Sequence, residues 1–268
     1  MRKIGVVLCG VILVCFCSCS ALAGSYTLQY KVAPGQVWVT TLSTQSETSF
    51  MGNKEVNRNK STIRYEVSKG PNKGWVSLSA RIQSQGESSN SGQMDLSKIR
   101  FTADMHQSGE IRNIQSEGSA MPPLEGQAGD LPAGMAAMYE QSSKMIADAW
   151  KTGVFWFPEL PEDPLEPGDE FEVTRKMGMG SSTAGMQMES VSKQVFTLEE
   201  VSEGLAYFSV KERSLTQSTA QMGGKSDTRT AGKGEATFDL REGMWTDMTI
   251  KSTSNVQFGN IPGMSGGN

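Results

Sequence analysis

From Tyr26 onward, apolar residues recur at every second position along most of the chain. Tyr26, Leu28, Tyr30 and Val32 alternate with Thr27, Gln29 and Lys31, and Ile63, Tyr65 and Val67 keep the same step. A period of two places one set of side chains on one face of a strand and the other set on the opposite face. Glycine and proline punctuate the runs. Pro34-Gly35, the loop Ser68 to Gly74 and Gln107-Ser108-Gly109-Glu110 each divide two alternating stretches, as hairpin turns do. A chain of this kind folds as an antiparallel sheet with one face in the core and one in water.

The series occurs twice. Pro167-Gly168-Asp169-Glu170-Phe171 parallels Pro34-Gly35-Gln36-Val37-Trp38. Phe196 and Leu198 parallel Tyr65 and Val67, Phe208 and Val210 match Val76 and Leu78, and Ala236 to Met244 echoes Ala103 to Ile111. The offset stays at about 131 to 134 residues, as an internal duplication requires. The expected fold is mainly β, with two related antiparallel sheet units of curved-sheet or half-barrel type and one central helix. The order is a leader at 1–23, a first β unit at 24–117, a connecting helix and proline-rich strap at 118–168, a second β unit at 169–258 and a disordered tail at 259–268.

The connection departs from strand spacing. Over Ala133 to Trp150, the residues Met135, Met138, Met145, Ile146, Ala149 and Trp150 fall on one helical face, and Gly153 is the expected stop. An apolar stretch follows, Val154 to Phe157, and then Pro158, Pro161, Pro164 and Pro167 at a spacing of three, which suits polyproline II. Glu159, Glu162, Asp163 and Glu166 keep that segment solvated.

The leader has the three parts of a secretory signal peptide. Arg2 and Lys3 precede an uncharged run from Ile4 to Phe16, and Ala21-Leu22-Ala23 supplies the small residues for cleavage after Ala23. The run is short of the roughly 20 residues that span a bilayer, so no permanent membrane span is expected. The expected location is periplasmic or extracellular. Lipidation at Cys19 is disfavoured, because Phe16-Cys17-Ser18-Cys19 lacks the leucine and small residue that a lipid-attachment site prefers.

All four cysteines, Cys9, Cys15, Cys17 and Cys19, lie in the leader. The mature chain therefore has no disulfide, thiol nucleophile or thiolate metal site, and core packing must hold it together. Its length, about 245 residues, suffices for that. The net charge of −4 becomes about −6 once Arg2 and Lys3 leave with the leader. Without a basic cluster, nucleic acid and a polybasic membrane attachment are not expected partners.

His106 is the only histidine, so a zinc site or a Ser-His-Asp triad lacks its components. Gly178-Met179-Gly180 and Gly223-Gly224-Lys225 are not followed by a helix, so neither is a phosphate loop. Carboxylate pairs remain, Asp104 with Glu110 and Asp239 with Glu242, all beside turns where acidic residues commonly serve the turn itself. No catalytic residue, metal ligand or cofactor is assigned. The methionines of the helix face, with those at 177, 179, 186 and 188, suit either a core or an adaptable apolar groove.

Phe157 to Phe171 (FPELPEDPLEPGDEF) resembles a stretch found in a family of uncharacterised exported bacterial proteins, with Leu-Pro, a spacer, a hydrophobic residue, then Gly-Asp and an aromatic. Gly234 to Asp239 (GEATFD) and the strand from Tyr30 to Gly35 resemble further parts of that family. The resemblance implies no activity and no site residues. At fold level alone the chain is similar to periplasmic half-barrel lipid carriers, and a fold does not establish a function. The expected function is a non-catalytic binding protein of the cell envelope. It would hold an apolar small molecule or a segment of an envelope protein in a groove between sheet and helix, bordered by Met138, Met145, Trp150, Phe155 and Trp156. A structural or assembly factor using sheet edges and a carboxylate-dependent hydrolase are the alternatives, and oligomeric state is open.

Overall fold

The structure is a computed structural model that describes residues 24–50, 53–85, 96–119, 147, 150, 151, 153–181, 186–219 and 224–258. The leader, the tail and most of the expected helix lie outside these residues.

The first sheet is an antiparallel meander in the order β1 (Val37–Phe50), β2 (Asn53–Lys69), β3 (Trp75–Gln85), β4 (Arg100–His106) and β5 (Ile111–Glu117), with a 3-10 turn at Leu96–Lys98. The second repeats that plan with β6 (Glu170–Ser181), β7 (Met186–Ser202), β8 (Leu205–Thr219), β9 (Lys225–Asp239) and β10 (Met244–Phe258), again paired in chain order. The chain is thus mainly β, in two five-stranded antiparallel sheets, and neither closes into a barrel. Among the described residues no helix is long and apolar enough to cross a membrane.

The turns explain why the two halves keep step. Gly35 and Gly168 both have positive φ, which a side chain would strain. Gly35 N–H donates to Val67 O at 2.9 Å while Val67 N–H donates to Gln36 O, and Gly168 N–H donates to Leu198 O at 2.7 Å while Leu198 N–H donates to Asp169 O. One hydrogen-bonded entry is therefore built twice. Beside it stands a stacked aromatic pair in each sheet: Trp38 on Tyr65, centroids 5.2 Å apart, and Phe171 on Phe196, 4.9 Å apart.

One match differs from the sequence reading. Leu78, not Val76, lies opposite Val67, whereas Phe208 lies opposite Leu198, so Phe208 corresponds to Leu78 and Val210 to Ala80. The cause is the hairpin. The β7–β8 turn is the two-residue Glu203-Gly204, both at positive φ as a type I′ turn requires, and a bulge follows Leu198. The β2–β3 loop is longer.

Both sheets contribute to one hydrophobic core, shared with the N-terminal segment and the strap. Tyr30 sits at its centre. The Tyr30 ring packs edge-on against Phe157 and Phe238, its hydroxyl donates to Pro158 O at 2.9 Å, and it accepts from Trp245 Nε1–H at 2.8 Å. Its N–H donates to Gln107 O in the first sheet's last turn, and Lys31 N–H donates to Gly243 O in the equivalent turn of the second. The first residues of the described chain therefore clasp both halves. The strap adds an antiparallel bridge between Tyr26 and Leu165 and a bond from Leu160 N–H to Ser108 O.

The end of the connecting segment is helical at Ala147, Trp150, Lys151, Gly153 and Val154, and turns at Phe155. Gly153 is therefore not the stop. The chain turns where Val154, Phe155 and Phe157 enter the core, each under 9% exposed.

Candidate functional site

Among the described residues, two cavities open beside the core. The larger, about 440 Å³, is bounded by the N-terminal segment at Gln29 to Ala33 and by the ends of β3 and β4. His106 borders it, with Nδ1 2.9 Å from Ser108 Oγ and its ring against Trp75. Ser108 N–H also points at that nitrogen, and Glu110 N–H at the Ser108 hydroxyl, so the serine is held within its turn. Glu110 itself pairs with Arg112.

The smaller cavity, about 230 Å³, is lined by β5 and β6, the end strands of their sheets, and by the start of the strap. Ile111 and Ile114 come from β5, Phe155 and Phe157 from the strap, and Val173 and Arg175 from β6. The two isoleucines are three residues apart, and a regular strand would place them on opposite faces. A bulge brings them together: the β4–β5 register shifts between Thr102 and Asp104, and Asn113 takes a positive φ of 54°. Asn113 Nδ2 is secured by Asp104 Oδ2 at 2.8 Å, and Asp104 Oδ1 accepts from Ser77 Oγ.

Arg175 lies in phase with Phe171 and Val173 and so points to the core side of β6. It is half-buried, and its guanidinium stacks on the Trp156 ring at 4.9 Å. Burial pulls its pKa down to about 10, opposed first by the Tyr30 phenol and then by the Glu159 carboxylate. None of the ion pairs among the described residues includes Arg175. The next β7 position, Gln194, is 6% exposed; its Nε2–H donates to Glu212 Oε1, while its own Oε1 has no partner.

Of the five border residues expected from sequence, Phe155 lines this cleft and Trp156 covers its arginine. Trp150 packs half-buried on the core, and Met138 and Met145 lie outside the described residues. Sequence reasoning missed Ile111 and Ile114 as a pair, Val173 and Arg175. A signal for Arg175 was available, a charge at an inward-phase position of an otherwise apolar run. The pairing of the isoleucines was not readable, because a bulge breaks the period.

Asp239, singled out as a carboxylate, caps its own turn: Oδ1 accepts from the N–H groups of Arg241 and Glu242, which hold its pKa below the usual range. Among the described residues no group of three or more histidines and carboxylates could hold a metal ion. No protein-family model, no curated protein and no solved structure matches the chain.

Proposed function

We propose that this is an exported, non-catalytic binding protein of the cell envelope, holding an apolar ligand in the cleft between β5, β6 and the strap. The observation that carries the reading is the convergence of Ile111, Ile114, Phe155, Phe157 and Val173 from three separate elements on one open cavity. A concave, mostly apolar site with few polar groups is the usual form of a small-molecule pocket. The leader supports export with cleavage after Ala23, and a mature mass beginning at Gly24 would test that part.

The ligand reading is tested with 1-N-phenylnaphthylamine, which brightens on entering an apolar site. The mature chain should bind it saturably, and Ile114→Glu should abolish binding while the far-ultraviolet circular dichroism stays that of the wild type. Absence of saturable binding, or unchanged binding by a folded Ile114→Glu protein, would sink the reading.

A second reading rests on the outer edges. β1 and β10 are the terminal strands of their sheets, and Val37, Val39 and Val256 on them are about half exposed. A free strand edge with apolar side chains can pair with a partner's strand. It would show as a stable complex in envelope extracts that Val39→Lys weakens, with no small ligand bound.

A further inference from the structure

We infer that the ligand of the β5–β6 cleft is a single-chain amphiphile with a carboxylate head, and that Arg175 receives that head. This rests on the cleft being a ligand site, as proposed above. Three observations point to the head group. Arg175 is a cation turned toward the core side of its strand, lining a cavity with Ile111, Ile114, Phe155, Phe157 and Val173, while Glu159, Thr174 and Lys176 supply its polar wall. Its guanidinium lies on the face of Trp156, and it belongs to none of the ion pairs among the described residues. A cation withdrawn from water is costly unless an anion meets it.

The other charges at the cleft compensate it only in part, since the Glu159 carboxylate acts on it from a distance without pairing. Glu159 is exposed and outside ion-pair reach of Arg175, and the neighbouring Lys176 is a second cation at the same wall. The guanidinium fork matches the two oxygens of a carboxylate. Size limits the remainder. A cavity of about 230 Å³ is smaller than the sites that take drug-sized molecules, so it fits one short acyl chain rather than a two-chain lipid.

The position of Arg175 along the sheet agrees with this orientation. Toward one end, the inward face carries Phe171, Phe196 and Val210; at Arg175 it turns polar, through Ser192, Ser214 and Thr230, which lie opposite one another across β6 to β9. An amphiphile with its chain on Phe155 and Phe157 and its head at Arg175 would follow that gradient.

The test uses displacement of 1-N-phenylnaphthylamine from the mature protein by decanoate, 1-decanol and decyl phosphate. Wild type should be displaced by decanoate at about tenfold or more lower concentration than by decanol, the scale of one charge-assisted bond in a desolvated site. Arg175→Met should bring the two to near equality, and Arg175→Lys, which keeps the charge but not the fork, should lie between. Equal displacement in wild type would overturn the head-group inference while leaving an apolar site in place, and that comparison needs no variant. A decanoate preference that survives in folded Arg175→Met protein would also overturn it, and a stronger effect of decyl phosphate would replace the carboxylate by a phosphate. Failure of the naphthylamine to bind at all would instead remove the underlying binding site.

Discussion

The two sheets can be compared row by row, because the same turns set both registers. In the first, the row beyond the stacked aromatics runs Thr40, Ile63, Ile82; in the second the equivalent row runs Val173, Gln194, Glu212. One row further, Leu42 and Ser61 stand where the second sheet has Arg175 and Ser192. Ile63 and Ile82 are 0% and 1% exposed, whereas Gln194 is buried with an unmatched carbonyl oxygen and Glu212 is half-buried. At Ile63 and Ile82 the first sheet thus continues its core, where the second has the polar Gln194 and Glu212, while at the edge position the first has Thr40 and the second Val173. Among the described residues, each sheet also holds one buried polar atom without a partner, Trp38 Nε1 in the first and Gln194 Oε1 in the second, and such groups add little to stability. Arg175 belongs to the second sheet, and the cleft it lines is shared with β5 of the first.

The comparison breaks first at the shared core. Phe101→Ala in the first sheet and Phe196→Ala in the second each remove a ring with 0% exposure, and each should cost about 3–5 kcal/mol. If the core is one unit, both variants should show a single denaturant transition at a lowered midpoint, seen alike by tryptophan fluorescence and circular dichroism. Two transitions would mean that the sheets fold separately.

Exchange of equivalent residues sharpens the contrast. Ile63→Gln should cost about 2–4 kcal/mol, since it deletes buried apolar surface and adds an unpartnered amide. Gln194→Ile should change stability by less than about 1 kcal/mol in either direction. Equal costs in denaturant unfolding would refute a division of labour between the sheets.

The clasp should give a smaller effect than either core variant, and it acts on both halves at once. Tyr30→Phe strands Pro158 O and Trp245 Nε1–H and should cost about 1–3 kcal/mol. The same phenol sets an alkaline limit. Burial raises the pKa of Tyr30 and of Tyr65, so above about pH 10 the unfolded chain releases protons that the folded chain keeps, and stability falls as pH rises. Arg175 acts in the opposite direction, because its lowered pKa makes the folded chain release a proton that the unfolded chain retains. Two phenols outweigh one guanidinium. Midpoints measured from pH 9 upward should decline, less steeply in Tyr30→Phe.

Much of the fold was legible in the residues. The alternation identified strands, and Gly35 with Gly168 marked one turn used twice, because each needs a positive φ beside a strand entry. The hairpin at Glu203-Gly204 was harder to place. Its two-residue turn and the bulge after Leu198 shift the match by two positions, and a shift of two leaves the alternation unchanged. The helix face at Met138 and Met145 lies outside the described residues. Of the site, Phe155 and Trp156 could be singled out as an unusual apolar run, whereas Arg175 could be noticed only as an inward charge with no stated neighbour.

Sequence alone determined the local terms: strand period, turn chemistry, the duplication, the absence of cysteine after Cys19, and the carboxylates that sit at turns. These follow from short-range sterics and from the two faces of a strand, which a linear pattern records. Tertiary structure alone decided that the sheets remain separate yet share one core, that Tyr30 and Lys31 clasp both, and that a bulge at Asn113 turns two isoleucines toward Arg175 across a gap. Those contacts join residues more than a hundred positions apart in some cases and about sixty in the last. Their energies depend on which surfaces meet, and no period along the chain encodes that.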